Sequence, residues 1–390
     1  MFKIELLNTP LYITSISTVS HLGTSPDEIW NNYLHNSHFI TRNQFGKDEA
    51  YAAFLPAVIR EEINAIADSD SALKNVDPTV LYSIFVSRKA ADLAGWKKGG
   101  DIGINIGSSR GATQLFEKYL GTFLQSGKGE VLSSPSTTLG NISSWVAQDL
   151  QSSGPDISHS VTCSTGLHAI LNGAAWLGSG MAEKFIAGGS EAALTPFTIS
   201  QMKAMKIYAR DKNDFPCRAL DMNKTANSMV LGEGAGVLCL EKDPSNYIAR
   251  IIGVGYATER LKHPVSISAN AECLQRSMKM AIGDLPYSEI DAIVMHAPGT
   301  IKGDEAELNA VKNLFGEKLP ALTSNKWKIG HTFGASGLLS LELAILMLQN
   351  QEFIAVPFSD ISRPPARLRN ILVNAVGFGG NAVSILVNKG

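Results

Sequence analysis

The 390-residue chain has little of what marks a specialised protein at first sight. Its four cysteines, at 163, 217, 239 and 273, are scattered and never fall in a C-x-x-C pair. That pattern argues against a disulfide framework and a zinc site, and fits a reducing compartment. Charge of one sign is also lacking. With 34 basic and 36 acidic side chains the formal net charge is −2, which gives no sign of general nucleic-acid binding. Long apolar runs are missing as well: the greasiest stretch, 338–348, contains Glu342 and is too short for a bilayer. The opening hexapeptide, MFKIEL, carries an acid where a signal peptide needs its apolar core. No low-complexity segment or long linker appears. These absences together predict a soluble, cytoplasmic protein with no membrane or nucleic-acid partner.

What the chain does have is 44% hydrophobic residues and 35 glycines, many beside chemically interesting side chains. Strand-like runs alternate with helical patterns. Strands are predicted at 11–19, 101–106, 157–162, 184–188, 230–240, 248–258, 292–296, 370–375 and 382–387. Helices are predicted at 26–34 (N-capped by Ser25), 78–95, 114–124, 143–151, 164–177, 269–282, 303–315 and 336–349. This alternation predicts an α/β fold with helices layered on sheets. The pattern restarts near residue 246, which suggests two related halves, 1–245 and 246–390.

Three segments carry candidate chemistry. In Ser160-Val-Thr-Cys-Ser-Thr-Gly-Leu-His168 a strand-like run ends at Cys163 and a helix follows. A thiol at a helix start meets unpaired N–H groups and the positive end of the dipole, so it is expected to ionise more readily and act as a nucleophile. A small buried cysteine is the other reading. His168, five positions on, reads as structural. The second and third segments, Ile293-Val-Met-His-Ala-Pro-Gly-Thr300 and Lys326-Trp-Lys-Ile-Gly-His-Thr-Phe-Gly-Ala-Ser-Gly337, each place a histidine, His296 and His331, where a strand passes into a loop of small residues. Asp304 and Glu307, three apart, share a helix face; they could order water or Lys326, or simply face solvent.

Taken in order and spacing, these segments resemble the β-ketoacyl-acyl-carrier-protein synthases, the elongating kind with a Cys-His-His site on the thiolase fold. Tyr12–Gly23, Gly188-Gly-Ser-Glu-Ala192, Gly232-Glu-Gly-Ala-Gly236 and Gly377-Phe-Gly-Gly380 are similar to further family signatures. The resemblance implies two pseudo-symmetric halves in an αβαβα arrangement. It implies Cys163 as the acyl-carrying nucleophile, His296 and His331 as donors to the malonyl thioester carbonyl, and Lys326 as a nearby cation. Backbone N–H groups of Cys163 and Phe378 would form the oxyanion hole, with Phe378 also gating the acyl chain. Thr300 and Thr332 would meet the pantetheine arm and the His331 loop. No metal or tightly bound cofactor is implied, since phosphopantetheine arrives on an acyl carrier protein together with acyl and malonyl thioesters. A homodimer is the expected assembly, a heterodimer the alternative. Lys203, Lys206 and Arg210, at roughly helical spacing, are candidate contacts for the acidic carrier, or a solvated face.

The chain departs from the family pattern in three telling places. Pro298 stands where a hydroxyl is usual, Val376 where a phenylalanine is usual, and Ser340 where some members carry a glutamate nine residues after the second histidine. Glu342 lies about 200° further round the helix than Ser340 and cannot simply replace it. These changes bear on substrate choice, so a specialised polyene or polyketide-like pathway stands beside fatty-acid elongation. A non-catalytic chain-length partner is a second reading. A third is an α/β-hydrolase, because Gly107-Ser-Ser-Arg-Gly111 matches the G-x-S-x-G elbow with Ser109 as nucleophile.

Overall fold

A computed structural model describes residues 10–139, 141–210, 213–261 and 267–389; the N-terminal hexapeptide lies outside them. Ten strands form one mixed sheet. The first five are β1 (Leu11–Val19), β2 (Ile102–Gly107), β3 (Asp156–Ile157), β4 (Lys184–Glu191) and β5 (Gly234–Glu241). The second five are β6 (Ala249–Thr258), β7 (Ala292–Val294), β8 (Ala321–Thr323), β9 (Asn370–Gly377) and β10 (Asn381–Asn388). Across the sheet they run β8-β7-β9-β10-β6-β1-β5-β4-β2-β3. Read outward from the centre, each set of five has the same order: first, fifth, fourth, second, third. Directions repeat too. β2 pairs in parallel with β3 and β4, as β7 does with β8 and β9, and the remaining pairs are antiparallel. The sets meet in a short antiparallel seam, Leu11↔Ile251, Tyr12↔Arg250 and Ile13↔Ala249.

The helices repeat in the same way. Pro78–Leu93 (α1) and Asn141–Leu150 (α2) cover the first half-sheet, while Glu272–Ile282 (α4) and Ile301–Phe315 (α5) cover the second. Between the half-sheets lie Thr165–Ser179 (α3) and Ser336–Asn350 (α6), giving the layered αβαβα arrangement. Strands β4 and β9 are buried on both faces, so they read as continuous apolar or small-residue runs rather than alternating ones. Helix α6 is buried all round, from Ser336 to Leu348, and is correspondingly apolar on every face. The apolar stretch is longer than the sequence suggests: 333–350 could cross a membrane by length and composition, but 89% of it is buried inside the fold, so it is a core helix. Two glycines bring α3 and α6 together. A Cβ on Gly166 would stand 2.3 Å from Leu338, and one on Gly337 would stand 2.7 Å from Leu167.

Several predicted boundaries move, for visible reasons. The strand expected at 157–162 shrinks to Asp156–Ile157, because side chains capture the backbone beyond it. Ser143 Oγ and Asn105 Nδ2 both donate to the Ile157 carbonyl at 2.7 Å, and Val161 N–H donates to Thr165 Oγ1. The strand expected at 230–240 is split at Glu233. Leu231–Gly232 joins a small sheet with Thr41–Phe45 and Asp48–Ala53, and only Gly234–Glu241 enters the main one. The hairpin at 41–53 and the helices Ala57–Ser69 and Pro196–Ala204 are additions to the sequence reading. Ser25 caps its helix as expected, accepting from Glu28 N–H.

Candidate active site

Cys163 lies just ahead of α3, with Ser164 at the N-cap. Its loop is held by contact with the C-terminal half. Thr162, at φ +51°, donates from Oγ1 to the Phe378 carbonyl at 3.2 Å. A Cβ on Gly377 would stand 1.8 Å from Thr162 Oγ1 and 3.1 Å from the Cys163 nitrogen, so only glycine lets β9 end here. The Cys163 backbone and the start of the 378–380 loop are thereby brought side by side. Phe378 remains 37% exposed while Cys163 is buried.

The strand expected before His331 is not there: Lys326–Ile329 is a short helix ending at Gly330, and His331 is placed by a single strand-like crossing beyond it. Its N–H donates to the Val230 carbonyl at 2.7 Å and its carbonyl accepts from Gly232 N–H at 3.1 Å. The chains cross so closely that a Cβ on Gly232 would stand 2.1 Å from the Ile329 carbonyl oxygen. His296 is placed by Glu307, whose carboxylate accepts from the backbone N–H of His296 (3.0 Å) and Ala297 (2.8 Å) and from Asn374 Nδ2 (3.1 Å). Asp304 fixes the next turn, accepting from Gly299 N–H and Leu220 N–H and pairing with buried Lys224 at 2.8 Å. Neither acid is solvated, and Asp304 is committed to Lys224 rather than Lys326.

The two imidazoles meet edge to face with ring centroids 5.1 Å apart. Burial, and secondarily the Lys326 charge, lowers His331 to about 3; burial, His331 and Lys326 push His296 well below its ordinary value. Both rings are therefore uncharged at neutral pH. Nδ1 of each is sealed without a partner, which leaves Nε2 as the atom each can turn to the cavity. Lys326 is fully buried behind them. Its Nζ donates to Asn325 Oδ1 at 3.1 Å and Ser340 Oγ at 3.2 Å. Among the described residues no carboxylate lies within ion-pairing distance of it, and burial lowers it to about 8. Glu342 points elsewhere and accepts from Thr18 Oγ1 at 2.7 Å.

One cavity of about 330 Å³ is lined by Cys163, His296, His331 and Phe378. Thr300, Pro298 and Lys302 also line it, as do Met202, Ile207, Met229 and Phe333, which pack in one cluster with Cys163. Thr300 also caps α5, accepting from Gly303 N–H. Thr332 is not on this wall; it is buried against Gly232 with its hydroxyl unpartnered. His168 is structural, its Nδ1 on the Ser164 carbonyl.

Three expectations are corrected. Cys163 is not an acidified thiol: burial, with Glu191 nearby, outweighs Lys326 and the thiol's own N–H and raises it to about 12. Ser109 is no hydrolase nucleophile. It lies off the histidine cavity, and its backbone N–H is spent on Glu191 at 2.8 Å. Lys203, Lys206 and Arg210 do not form a helix face, because the helix ends at Ala204 and Lys206 turns to φ +58°. Lys203 is already paired with Asp48.

Sequence reasoning missed the role of Glu191. Its carboxylate accepts from Ser108 Oγ, Ser109 N–H, Arg110 N–H and Gly334 N–H at 2.8–3.1 Å, tying the 107–111 loop to the His331 segment. Burial raises its pKa to about 7. The signal was its place in Gly188-Gly-Ser-Glu, where a charge ends an otherwise apolar strand.

The layered repeat, with a cysteine ahead of one central helix and two histidines facing it, defines a thiolase-fold condensing-enzyme architecture. Residues 8–246 match the beta-ketoacyl synthase N-terminal domain and residues 248–357 the C-terminal domain, so the chain belongs to the beta-ketoacyl synthase family, a class of acyltransferases. It is similar to the 3-oxoacyl-[acyl-carrier-protein] synthase 2 of Coxiella burnetii, at 26% identity over 97% of this chain and 98% of that protein. The protein of the same name from Rhizobium meliloti is 28% identical over 81% of this chain and 82% of its own length. In fold it is similar to the ishigamide ketosynthase/chain length factor (TM-score 0.84, 19% identity, covering 98% of this chain and 99% of that one). It is equally close to a beta-ketoacyl synthase from Burkholderia phymatum (TM-score 0.83, 22% identity, the same coverage).

Proposed function

We propose that the chain is a 3-oxoacyl-[acyl-carrier-protein] synthase that joins malonyl units to an acyl group held on Cys163. The observation that carries this reading is the single cavity in which Cys163 faces two uncharged imidazoles, backed by a buried lysine.

The chemistry follows from those groups. Cys163 sulfur attacks the thioester carbonyl of an acyl-pantetheine arm. The tetrahedral oxyanion rests on the N–H groups of Cys163 and Phe378, and the C–S bond to pantetheine breaks. The proton leaves the Cys163 thiol and ends on the departing pantetheine thiolate. Burial keeps the resting thiol protonated, so the proton has to leave sulfur as the new C–S bond forms. Malonyl thioester then takes the arm's place, alongside Thr300 and Lys302. Carbon dioxide departs, and the electron pair left behind is spread onto the thioester oxygen, where Nε2–H of His296 and His331 donate to it. The carbanion attacks the acyl carbonyl, the bond to Cys163 breaks, and the cysteine thiolate takes a proton from water. Lys326 helps hold both rings uncharged, and its positive charge behind them strengthens their N–H donation to the enolate oxygen. No resident cofactor is required.

A partner subunit is part of the same proposal. Phe116, Leu120, Phe123 and Leu124 recur along one side of the helix Thr113–Ser126 and are exposed, and β3 is an open sheet edge carrying exposed Ile157. A second copy covering these elements makes a homodimer; light scattering of the isolated chain giving twice the monomer mass checks it.

Intact-mass analysis after incubation with acyl-carrier proteins, together with carbon dioxide release from malonyl-carrier protein, tests the activity. Acyl mass on Cys163 and gas release support it. Neither, in a folded protein, favours the chain-length partner reading, for which the observation is that buried Lys326 meets Ser340 and Asn325 and, among the described residues, no carboxylate.

A further inference from the structure

Arg110 is the one charged residue of the 107–111 loop, and the proposed chemistry leaves its side chain unused. Its backbone is fixed, because its N–H and that of Ser109 end on Glu191 and Gly111 N–H donates to Ser108 Oγ. The guanidinium is fixed at one nitrogen only: Nη2 donates to Gln201 Oε1 at 2.5 Å. Nε is buried with no partner. The guanidinium carbon stands 5.9 Å from the centre of the Phe333 ring, and Phe333 and Met202, the residue after Gln201, both line the cavity on the Cys163 side. Glu191 is engaged by the Arg110 backbone, not its guanidinium. Among the described residues no carboxylate lies within ion-pairing distance of Arg110.

An arginine with a buried, unpartnered N–H behind a cavity wall is costly unless something completes it. The wall beside it is otherwise apolar: Met202, Ile207, Met229 and Phe333 would suit any hydrocarbon chain. A saturated chain ending in a methyl group gains nothing from a guanidinium and leaves its N–H groups unmet. A chain ending in a carboxylate, or another anionic oxygen, pairs with it in the bidentate geometry arginine favours. Gln201 holds the fork in place.

We propose that Arg110, held by Gln201, reads the far end of the acyl chain and selects acyl groups that terminate in an anionic oxygen over those that terminate in a methyl. This rests on Cys163 being the acyl-carrying nucleophile.

The test measures loading of Cys163 by intact mass from paired thioesters of matched length: the half-thioesters of adipic, suberic and sebacic acids against hexanoyl, octanoyl and decanoyl thioesters. At one length or more the wild-type protein is expected to load the acid-ended chain about tenfold faster. Arg110→Met is expected to reverse that ratio while still loading the methyl-ended chain, and Arg110→Lys to keep part of it. A wild-type ratio at or below one at all three lengths overturns the inference, whatever the variants do. So does an unchanged ratio in Arg110→Met. If no thioester of either kind loads Cys163, the condensing activity itself fails; if both kinds load alike, only the role of Arg110 fails.

Discussion

The two halves of the molecule share a strand order and a central helix, yet only one junction between them is a cavity. Strands β4 and β9 are equivalent eight-residue strands, ending at Glu191 and Gly377. Each end reaches across to the loop before the other half's central helix. Glu191 fills its junction, binding the Ser108 hydroxyl, the 109–110 backbone and Gly334, and Gly189 packs so tightly there that a Cβ would stand 2.4 Å from the Gly334 carbonyl oxygen. Gly377 leaves its junction open, with Cys163 on one side and Phe378 on the other. One repeat thus yields a clamp and a cavity. The difference is a carboxylate against a hydrogen atom.

The comparison can be broken most severely at the nucleophile. Cys163→Ala is expected to abolish acyl loading, a loss of at least about a thousandfold, while melting temperature changes little; intact mass and calorimetry check it. Next comes the histidine side. His331→Ala is expected to reduce carbon dioxide release about a hundred- to a thousandfold, with loading of Cys163 kept within severalfold. A parallel loss of loading would show that the histidine serves the thiol rather than the malonyl carbonyl. At the junctions, Gly377→Ala and Gly189→Ala should each cost about 1–3 kcal/mol in denaturant unfolding, since either Cβ overlaps the opposite half. Equal losses support the repeat in packing, and a loss at one side only would break it.

A smaller effect sharpens the electrostatics of the open junction. Lys326 has a folded pKa near 8, so its positive charge is complete below that value and fades as pH rises through it. Condensation is expected to fall on that alkaline limb. Ser340→Glu places an anion where Lys326 now meets a hydroxyl, so the limb should move to higher pH; an unmoved limb would detach it from Lys326. No limb from His331 is expected above about pH 4. The smallest effect concerns Glu342, raised to about 7 by burial. A carboxyl raised on folding adds stability below its unfolded pKa and loses it as pH climbs to 7. Glu342→Gln should flatten the stability profile between about pH 4.5 and 7.

The residues that meet in the candidate site were singled out in the sequence by local pattern. His296 follows the apolar strand 292–294 as the pattern says, and the strand 11–19 and the helix 26–34 fall where alternation and capping put them, but the strand before Cys163 stops at Ile157 and a helix, Lys326–Ile329, precedes His331. The family resemblance followed from the order of such segments, which sequence carries directly. Less legible were positions decided by a partner far along the chain. The strand expected at 157–162 is undone by Asn105 and Ser143, and Asp304 answers to Lys224 rather than Lys326.

The sequence by itself determined the alternating α/β pattern, its restart, and the residue types that can carry a thioester and steady an enolate. Only the tertiary structure decided their state. Cys163 is held protonated and both histidines uncharged because burial penalises charge, and burial is set by which segments pack together. It also decided that Gly377 opens a chamber where Glu191 closes one, because strand ends distant in sequence meet only once the half-sheets have closed over α3 and α6.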